Sequence, residues 1–339
     1  MQLYAGIDLH SSNIYLGILD GKNKRIFGKR LPNCIEKIKM ALEPFKKDIA
    51  DIAVESTYNW YWLVDGLMAE GYPVRLANPA AMKQYDGLKY KDDKTDAFWL
   101  AQMLALKILP EGYIYPKEGR PVRDLLRRRL RYVNHRTSHI LSFQSLITRN
   151  LGIKMSARQI KRLKTEDIHQ LFDSPHLILA ADSSRAAIEF YKSRIKIMEK
   201  QVLPQVECKP EFELLRTIPG IGLILSQTIM LEVGDIMRFR KVGKYVSYCR
   251  CVKSENLSNK KKKGEGNRKS GNRYLSWAYV EAAHHSMRFC PAAHKFYQRK
   301  KAQKNGAVAT KALAAKLARA SYYIMRDRVP YNGEKLFGS

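Results

Sequence analysis

Four acidic side chains carry the first chemical signal in the sequence. Asp8 interrupts the apolar run Tyr4-Ala-Gly-Ile-Asp-Leu-His, and Glu55 closes Asp51-Ile-Ala-Val-Glu just before Ser56-Thr57. Asp93 and Asp96 fall three apart at the apparent start of a helix, where one turn brings them to the same side. A carboxylate inside an apolar strand costs several kcal/mol unless it is paired or metal-bound. Carboxylates converging on one point repel one another, and divalent cations relieve that repulsion. Two Mg²⁺ ions held in this way can clamp the attacking and leaving oxygens of a phosphodiester. Taken singly, Asp96 reads as a first-turn helix acid and Glu55 as a strand-end surface residue. Taken together in a basic chain, the four read as a Mg²⁺ site. Asp92 competes with Asp93, and spacing alone leaves that choice open.

Basic and glycine-containing segments point to a phosphate-bearing partner. The stretch Lys253 to Arg273 holds eight Lys and Arg (Lys253, Lys260, Lys261, Lys262, Lys263, Arg268, Lys269, Arg273) against Glu255 and Glu265. It reads either as a solvated surface loop or as a phosphate-gripping loop, with Ser254, Ser258 and Ser270 available as nucleophiles. Ile218-Pro-Gly-Ile-Gly-Leu has the form of a helix-hairpin-helix turn, in which Gly220 and Gly222 let backbone N–H groups face a phosphate. The alternative is a tight interhelical turn with no ligand. Arg123, Arg127, Arg128, Arg129, Arg131 and Arg136 crowd one helical stretch and are expected to contact a nucleic-acid backbone. Cys249-x-Cys251 with His284-His285 lacks the paired spacing of a zinc finger. Trp60, Trp62 and Trp99 sit in helical settings that favour core packing over base stacking.

The elements that must position these residues follow from periodicity. Tyr4 to His10, Asn13 to Leu19 and Arg25 to Leu31 read as three strands, the last two joined at Asp20-Gly21, a hairpin signal. Ile35 to Phe45 has helical spacing, Asp51 to Glu55 is a fourth strand, Trp60 to Glu70 a helix, Tyr72 to Ala77 a fifth strand, and a helix opens near Thr95. A three-strand meander followed by alternating β and α units is the order of an α/β RNase H-like domain. Beyond Pro116 and Pro121, Leu126, Val133, Ile140 and Ile147 fall seven apart, and Ile188, Tyr191, Ile195, Met198 and Val202 form a second seam with cap candidates at Asp182-Ser-Ser. Two seams predict an antiparallel coiled-coil pair or an oligomerisation arm, with ordinary amphipathic helices as the alternative. A mostly helical last region starts near Glu211 and holds an Ala-rich helix from Ala307 to Ala320. The expected division is 1–118, a nuclease-like domain; 119–208, a helical connector; and 209–339, a C-terminal domain carrying the basic loop.

Composition narrows the classes. The 339 residues carry 61 Lys and Arg against 32 Asp and Glu, a net charge of +29, which implies a polyanionic partner. With 45% hydrophobic residues, a disordered basic tail is excluded. No stretch approaches the roughly 18 apolar residues of a membrane span, and the start has no basic region or cleavage site of a signal peptide. Five scattered cysteines suit reduced thiols in a cytoplasm.

Gly6-Ile-Asp-Leu-His, Val54-Glu-Ser-Thr-Tyr-Asn-Trp-Tyr, Lys91-Asp-Asp-Lys-Thr-Asp-Ala, Leu215-Arg-Thr-Ile-Pro-Gly-Ile-Gly, Glu232-Val-Gly-Asp-Ile-Met-Arg-Phe and Gly271-Asn-Arg-Tyr-Leu occur in this order. Together they resemble the DEDD transposases of bacterial insertion sequences, the family numbered 110, which has a RuvC-like nuclease domain. The resemblance spans roughly residues 3 to 325. It implies that Asp8, Glu55, Asp93 and Asp96 are the metal ligands, Asp93 being preferred over Asp92. It further implies a catalytic serine in the C-terminal domain. Ser258-Asn259 is the matching step, with Asn in place of the common Gly and Ser254 in reserve. In the family that serine attacks DNA to form a phosphoserine link, and a non-coding RNA from the element pairs with donor and target DNA. The two domains that build one site can come from different protomers of a homo-oligomer. The resulting expectation is a Mg²⁺-dependent DNA recombinase. A RuvC-like junction nuclease using metal-activated water is the alternative, and a non-enzymatic nucleic-acid binder is a third reading.

Overall fold

Strands β1 (Leu3–Leu9), β2 (Asn13–Asp20) and β3 (Arg25–Pro32) form the expected antiparallel meander. The turn at its second corner closes on Asp20, whose Oδ1 accepts from the backbone N–H groups of Lys22 and Lys24. After α1 (Ile35–Leu42), β4 (Ile49–Glu55) pairs parallel with β1; after α2 (Tyr61–Ala69), β5 (Val74–Ala77) pairs parallel with β4. The sheet order is β3-β2-β1-β4-β5. Every residue of β1 is buried, as befits a central strand covered on both faces, while β3 exposes charged residues as an edge strand should. The model is a computed structural model describing residues 2–82, 92–207, 209–252, 256–258, 261–264 and 270–338, with 256–258 and 261–264 described as backbone. The chain divides into two compact units, Met1–Lys117 and Glu118–Ser339.

The two-residue period of a strand decides which side each β1 residue serves. Leu3, Ala5, Ile7 and Leu9 join the core beneath α1 and α2, together with Ile38, Leu63 and Leu67. The intervening residues face α3 (Asp93–Ala105), where Tyr4 packs with Ala53, Leu100 and Met103. Gly6, Gly17 and Gly28 lie side by side across β1, β2 and β3. A Cβ at Gly6 would run into the Ala97 carbonyl oxygen and come within 2.7 Å of the Ala101 nitrogen. The glycine row is therefore a trough that lets α3 lie directly on the sheet. Trp60 is buried, and Trp62 and Trp99 pack against the two cores, as their helical settings predict.

The second unit begins with α4 (Arg120–Leu151), opened by Pro121 in its first turn, where a missing N–H costs nothing. Two short helices, α5 (Ala157–Ile160) and α6 (Thr165–Leu171), lead to α7 (Pro175–Val202). Arg129 donates to Glu199 at 2.8 Å, and the His135 ring stacks on Tyr191. Ile140, Phe143 and Ile147 share a core with Ala181 and Ile188. Residue numbers thus rise along α4 as they fall along α7, so the two helices run antiparallel within one chain. The cap expected at Asp182-Ser183-Ser184 is corrected: α7 opens at Pro175, two turns earlier. Ser183 and Ser184 stay inside the helix because their hydroxyls donate to the carbonyls of Leu179 and Ala180.

The rest is a helical core of α8 (Pro210–Arg216), α9 (Leu223–Val233), α10 (Val242–Tyr248), α11 (Arg273–Phe289), α12 (Pro291–Gln303) and α13 (Gly306–Asp327), followed by α14 (Gly333–Phe337). Tyr245 and Tyr279 meet at its centre through their hydroxyls, 2.5 Å apart. Leu126, at the base of α4, joins this same core, which is why the helices expected as a connector fall within the second unit. Within the Lys-rich segment, β6 (Asn256–Ser258) and β7 (Lys261–Gly264) form an antiparallel ribbon with Ser258 opposite Lys261.

Candidate functional site

The sheet edge where β1 and β4 end collects the four predicted carboxylates. Asp8 lies on the α3 side of β1 by strand alternation, and Glu55 follows on the neighbouring strand, one step beyond the Ile7–Val54 pair. Asp92 caps α3, its side chain accepting from the Thr95 N–H at 2.7 Å, and hydrogen bonds from the Thr95 side chain and then its backbone hold the carboxyl below the usual range. Asp93 and Asp96 occupy the first turn and are carried towards Asp8 by the close seating of α3. Asp92 thus serves as the cap of α3, while Asp93 lies beside His10 and Asp8.

Two residues complete the cluster that the sequence reading did not single out. His10 Nε2 stands 3.0 Å from Asp8 Oδ2 and 3.0 Å from Asp93 Oδ1. Arg30, on β3, reaches the other oxygen of Asp93 at 2.6 Å. Asn33 and Asn59 both donate to the His10 carbonyl at 3.0 Å, fixing the backbone there. The signal for His10 was present in Asp-Leu-His, since alternate strand residues share a face. Arg30 becomes a neighbour only through the pairing of β2 with β3.

The electrostatics are those of crowded like charges. Burial pushes Glu55 up to about 7, and the carboxylates of Asp8 and Asp96 add to the rise. Asp8 is also raised, by burial and then by Asp96 and Asp93, against the pull of His10. Burial alone would lower His10, but Asp8 and Asp93 outweigh it and the imidazole holds its proton more tightly than usual. Among the described residues, Asp8, His10 and Asp93 form the group whose ligand atoms all lie within 4.8 Å of one another, close enough to share a metal ion. A donor set dominated by carboxylate oxygens fits a hard divalent cation. His10 and Arg30 supply positive charge where such a cation would otherwise be needed.

In the second unit the arginines of α4 divide by burial. Arg123 is 8% exposed, and Arg127 makes a bidentate pair with Glu232 (Nε to Oε1 2.6 Å, a terminal nitrogen to Oε2 2.8 Å). Glu232 is 3% exposed and also accepts from Asn272 Nδ2 at 2.6 Å, while Asn272 Oδ1 caps α11 through the N–H groups of Tyr274 and Leu275. Burial would loosen the Arg127 proton; Glu232 overrides it and holds the guanidinium charged. Arg128, Arg131 and Arg273 are exposed. With Asp124, Arg127, Tyr274 and Trp277 they line a groove of about 640 Å³. Gly220 has φ +95° and lies against the α11 backbone, where a Cβ would come within 2.6 Å of the Ala282 oxygen, so close packing requires a glycine there. Gly222 is exposed at the start of α9. Cys249 and Cys251 are buried thiols, Cys251 pushed up to about 11 by burial, and His284 and His285 are exposed, so the four do not form a metal site. Ser258, Lys261, Lys262 and Lys263 lie on the β6–β7 ribbon, while Ser254, Lys260 and Arg268 lie outside the described residues.

The mixed sheet and its covering helices have the organisation of an RNase H-like domain. Residues 5–151 match a DEDD transposase family model of the IS110 type, and residues 212–298 match the model of the IS116/IS110/IS902 transposase family. The chain is 24% identical over 231 residues to the transposase for insertion sequence element IS1111A of Coxiella burnetii, covering 66% of this chain and 62% of that relative. It is 25% identical over 232 residues to y4qE of Sinorhizobium fredii (67% and 55%). It is 26% identical over 137 residues to a 43.6 kDa protein of insertion element IS110 from Streptomyces coelicolor (40% and 34%). The chain therefore belongs to the IS110 family of DEDD transposases. It spans about half the length of the curated relatives it matches. No helix among the described residues is long and apolar enough to cross a membrane.

Proposed function

We propose that this chain is a DNA recombinase that cleaves and rejoins strands to excise and insert its own element in the cytoplasm. The observation that carries the reading is the convergence of Asp8, Glu55, Asp93 and Asp96 at one sheet edge, with Glu55 pushed up to about 7 by burial and then by Asp8 and Asp96. Asp8, Glu55, Asp93 and Asp96 would hold Mg²⁺, which when bound supplies positive charge against the phosphodiester oxygens. Glu55 and Asp8 give up protons to take that role. His10 and Arg30 orient Asp93 from the solvent side. Residues 1–118 then act as the nuclease domain, 119–208 as the connector and 209–339 as the domain that carries the nucleophile.

In this reading the Ser258 hydroxyl attacks the scissile phosphorus. A serine–phosphate bond forms, the strand's P–O bond breaks, and the displaced sugar oxygen takes a proton. A second strand's hydroxyl then reverses the exchange. Exposed Arg128, Arg131 and Arg273, with Lys261, Lys262 and Lys263 on the ribbon, hold phosphates without reading bases. A net charge of +29 suits an element-derived guide RNA that does the base reading, alongside donor and target DNA. Leu141, Leu179, Phe190 and Ile197 are exposed along α4 and α7, which favours a homo-oligomer joined through this arm as a coiled coil.

The test is an excision-junction assay beside the native flanking DNA. Wild type is expected to give circle junctions, and Asp93→Asn and Ser258→Ala none. A covalent protein–DNA adduct in wild type but not in Ser258→Ala supports the serine route. Junctions from Ser258→Ala would remove that serine, and wild-type activity from Asp93→Asn would remove the metal site.

A further inference from the structure

The groove between α4 and the start of α11 is built for more than phosphate contact. Of its guanidinium groups, Arg127 is held by Glu232, whereas among the described residues no carboxylate pairs with Arg128, Arg131 or Arg273. Two guanidiniums lie over the Tyr274 ring, Arg127 4.7 Å and Arg273 4.9 Å from its centre. Trp277 is three residues further along α11, so one turn places both rings on the same side. The volume, about 640 Å³, falls in the range of small-ligand pockets (roughly 300–1,000 Å³), room for a single base. Aromatic rings beside arginines that no described carboxylate neutralises form a stacking platform with phosphate grips. A duplex keeps its bases stacked inside and could offer such a groove only its backbone.

We propose that this groove seats an unpaired nucleotide of a single-stranded nucleic acid, with the base against Trp277 and the flanking phosphates on Arg128, Arg131 and Arg273. The proposal deepens the nucleic-acid reading above and rests on it. The Glu232–Arg127–Asn272 network serves as the foundation: it fixes the Arg127 side of the groove and the N-terminal end of α11, which carries Tyr274 in its first turn and Trp277 at the start of the next. One chemistry has two sources, an unpaired base of an RNA or a base opened from DNA.

Fluorescence anisotropy on the full chain tests this, with labelled single-stranded DNA and RNA of roughly 12 nucleotides and the matching duplex. Trp277→Leu is expected to weaken both single strands by roughly tenfold, the weight of one base–aromatic stack, and to change duplex affinity by less than about twofold. Trp277→Phe, which keeps a ring against the core, is expected to retain most of the single-strand affinity. Because Arg128 and Arg131 are exposed, the double variant R128Q/R131Q folds normally, and its single-strand salt slope falls by roughly 0.7 per arginine. Tighter RNA binding assigns the seat to RNA, and tighter DNA binding to an opened DNA strand; either supports the groove. Single-strand affinity unchanged in Trp277→Leu, or duplex affinity lost in step with it, overturns the groove while leaving the nucleic-acid reading intact. A wild-type chain that binds none of the three overturns both.

Discussion

Two buried carboxylate sites lie in the two units, and they resolve the same physical problem in opposite ways. Glu232 is almost fully enclosed, yet a bidentate arginine and an asparagine amide satisfy it. Asp8 is equally enclosed, at 4% exposed, but its neighbours are three more acids, opposed among the described residues by His10 and, at Asp93, by Arg30. A buried charge matched inside the fold is structural. A buried charge placed among its own kind leaves electrostatic work for a ligand to do, and here the ligand chemistry is that of a divalent cation.

Substitutions should therefore separate the two sites. The largest effect is expected from Asp8→Asn, which abolishes strand cleavage while the melting temperature without metal stays level or rises, because one member of a repelling set is neutralised. A cleavage assay paired with thermal melting checks both halves. Glu232→Ala should do the reverse and unfold the second unit first. It removes the bidentate partner of the half-buried Arg127, leaving it Asp124 at 3.6 Å, and the cost lies toward the low end of the roughly 3–5 kcal/mol for breaking a buried pair, measurable by urea titration. Gly6→Ala forces α3 off the sheet against Ala97 and Ala101; overpacking of this kind costs about 1–3 kcal/mol and moves Asp93 and Asp96, so cleavage falls with stability. Asp92→Ala removes only a helix cap, about 1 kcal/mol, and is expected to leave cleavage intact. Loss of activity there would blur the distinction between Asp92 and Asp93.

Much of this could be read from the chain. The strand runs and the i, i+3 spacing marked Asp8, Glu55 and Asp96 as candidates because those patterns are local, whereas Asp93 was preferred over Asp92 by the family resemblance and not by spacing. The residues that were missed needed pairing across strands or helices. Arg30 meets Asp93 only once β3 takes the edge beside β2, and the row of Gly6, Gly17 and Gly28 exists only in the register of three strands. Glu232 left a clue as the single acid in the apolar run Leu223-Ile-Leu-Ser-Gln-Thr-Ile-Met-Leu-Glu-Val, although its partners lie 105 and 40 residues away. Ser183 and Ser184 misled for a local reason: the hydroxyl that can cap a helix also bonds backwards within one.

The contrast between the two sites is tested most directly by thermal melting of the full chain against pH, with and without Mg²⁺, in wild type and Glu55→Gln. The folded pKa of Glu55 is about 7 against an ordinary 4.5, so between those values the native state holds more protons than the unfolded one. Its contribution to stability is present at low pH and is lost as pH rises through about 7; His10 and Asp8, also raised, act in the same direction. Without the cation, wild type should thus lose stability relative to Glu55→Gln between about pH 5 and pH 8. With Mg²⁺ that loss should be reversed, most strongly at the alkaline end, and Glu55→Gln should respond weakly. A wild-type melting temperature indifferent to Mg²⁺ at the alkaline end, with no difference between the two chains across the range, would contradict the assignment of the carboxylate cluster as a cation site.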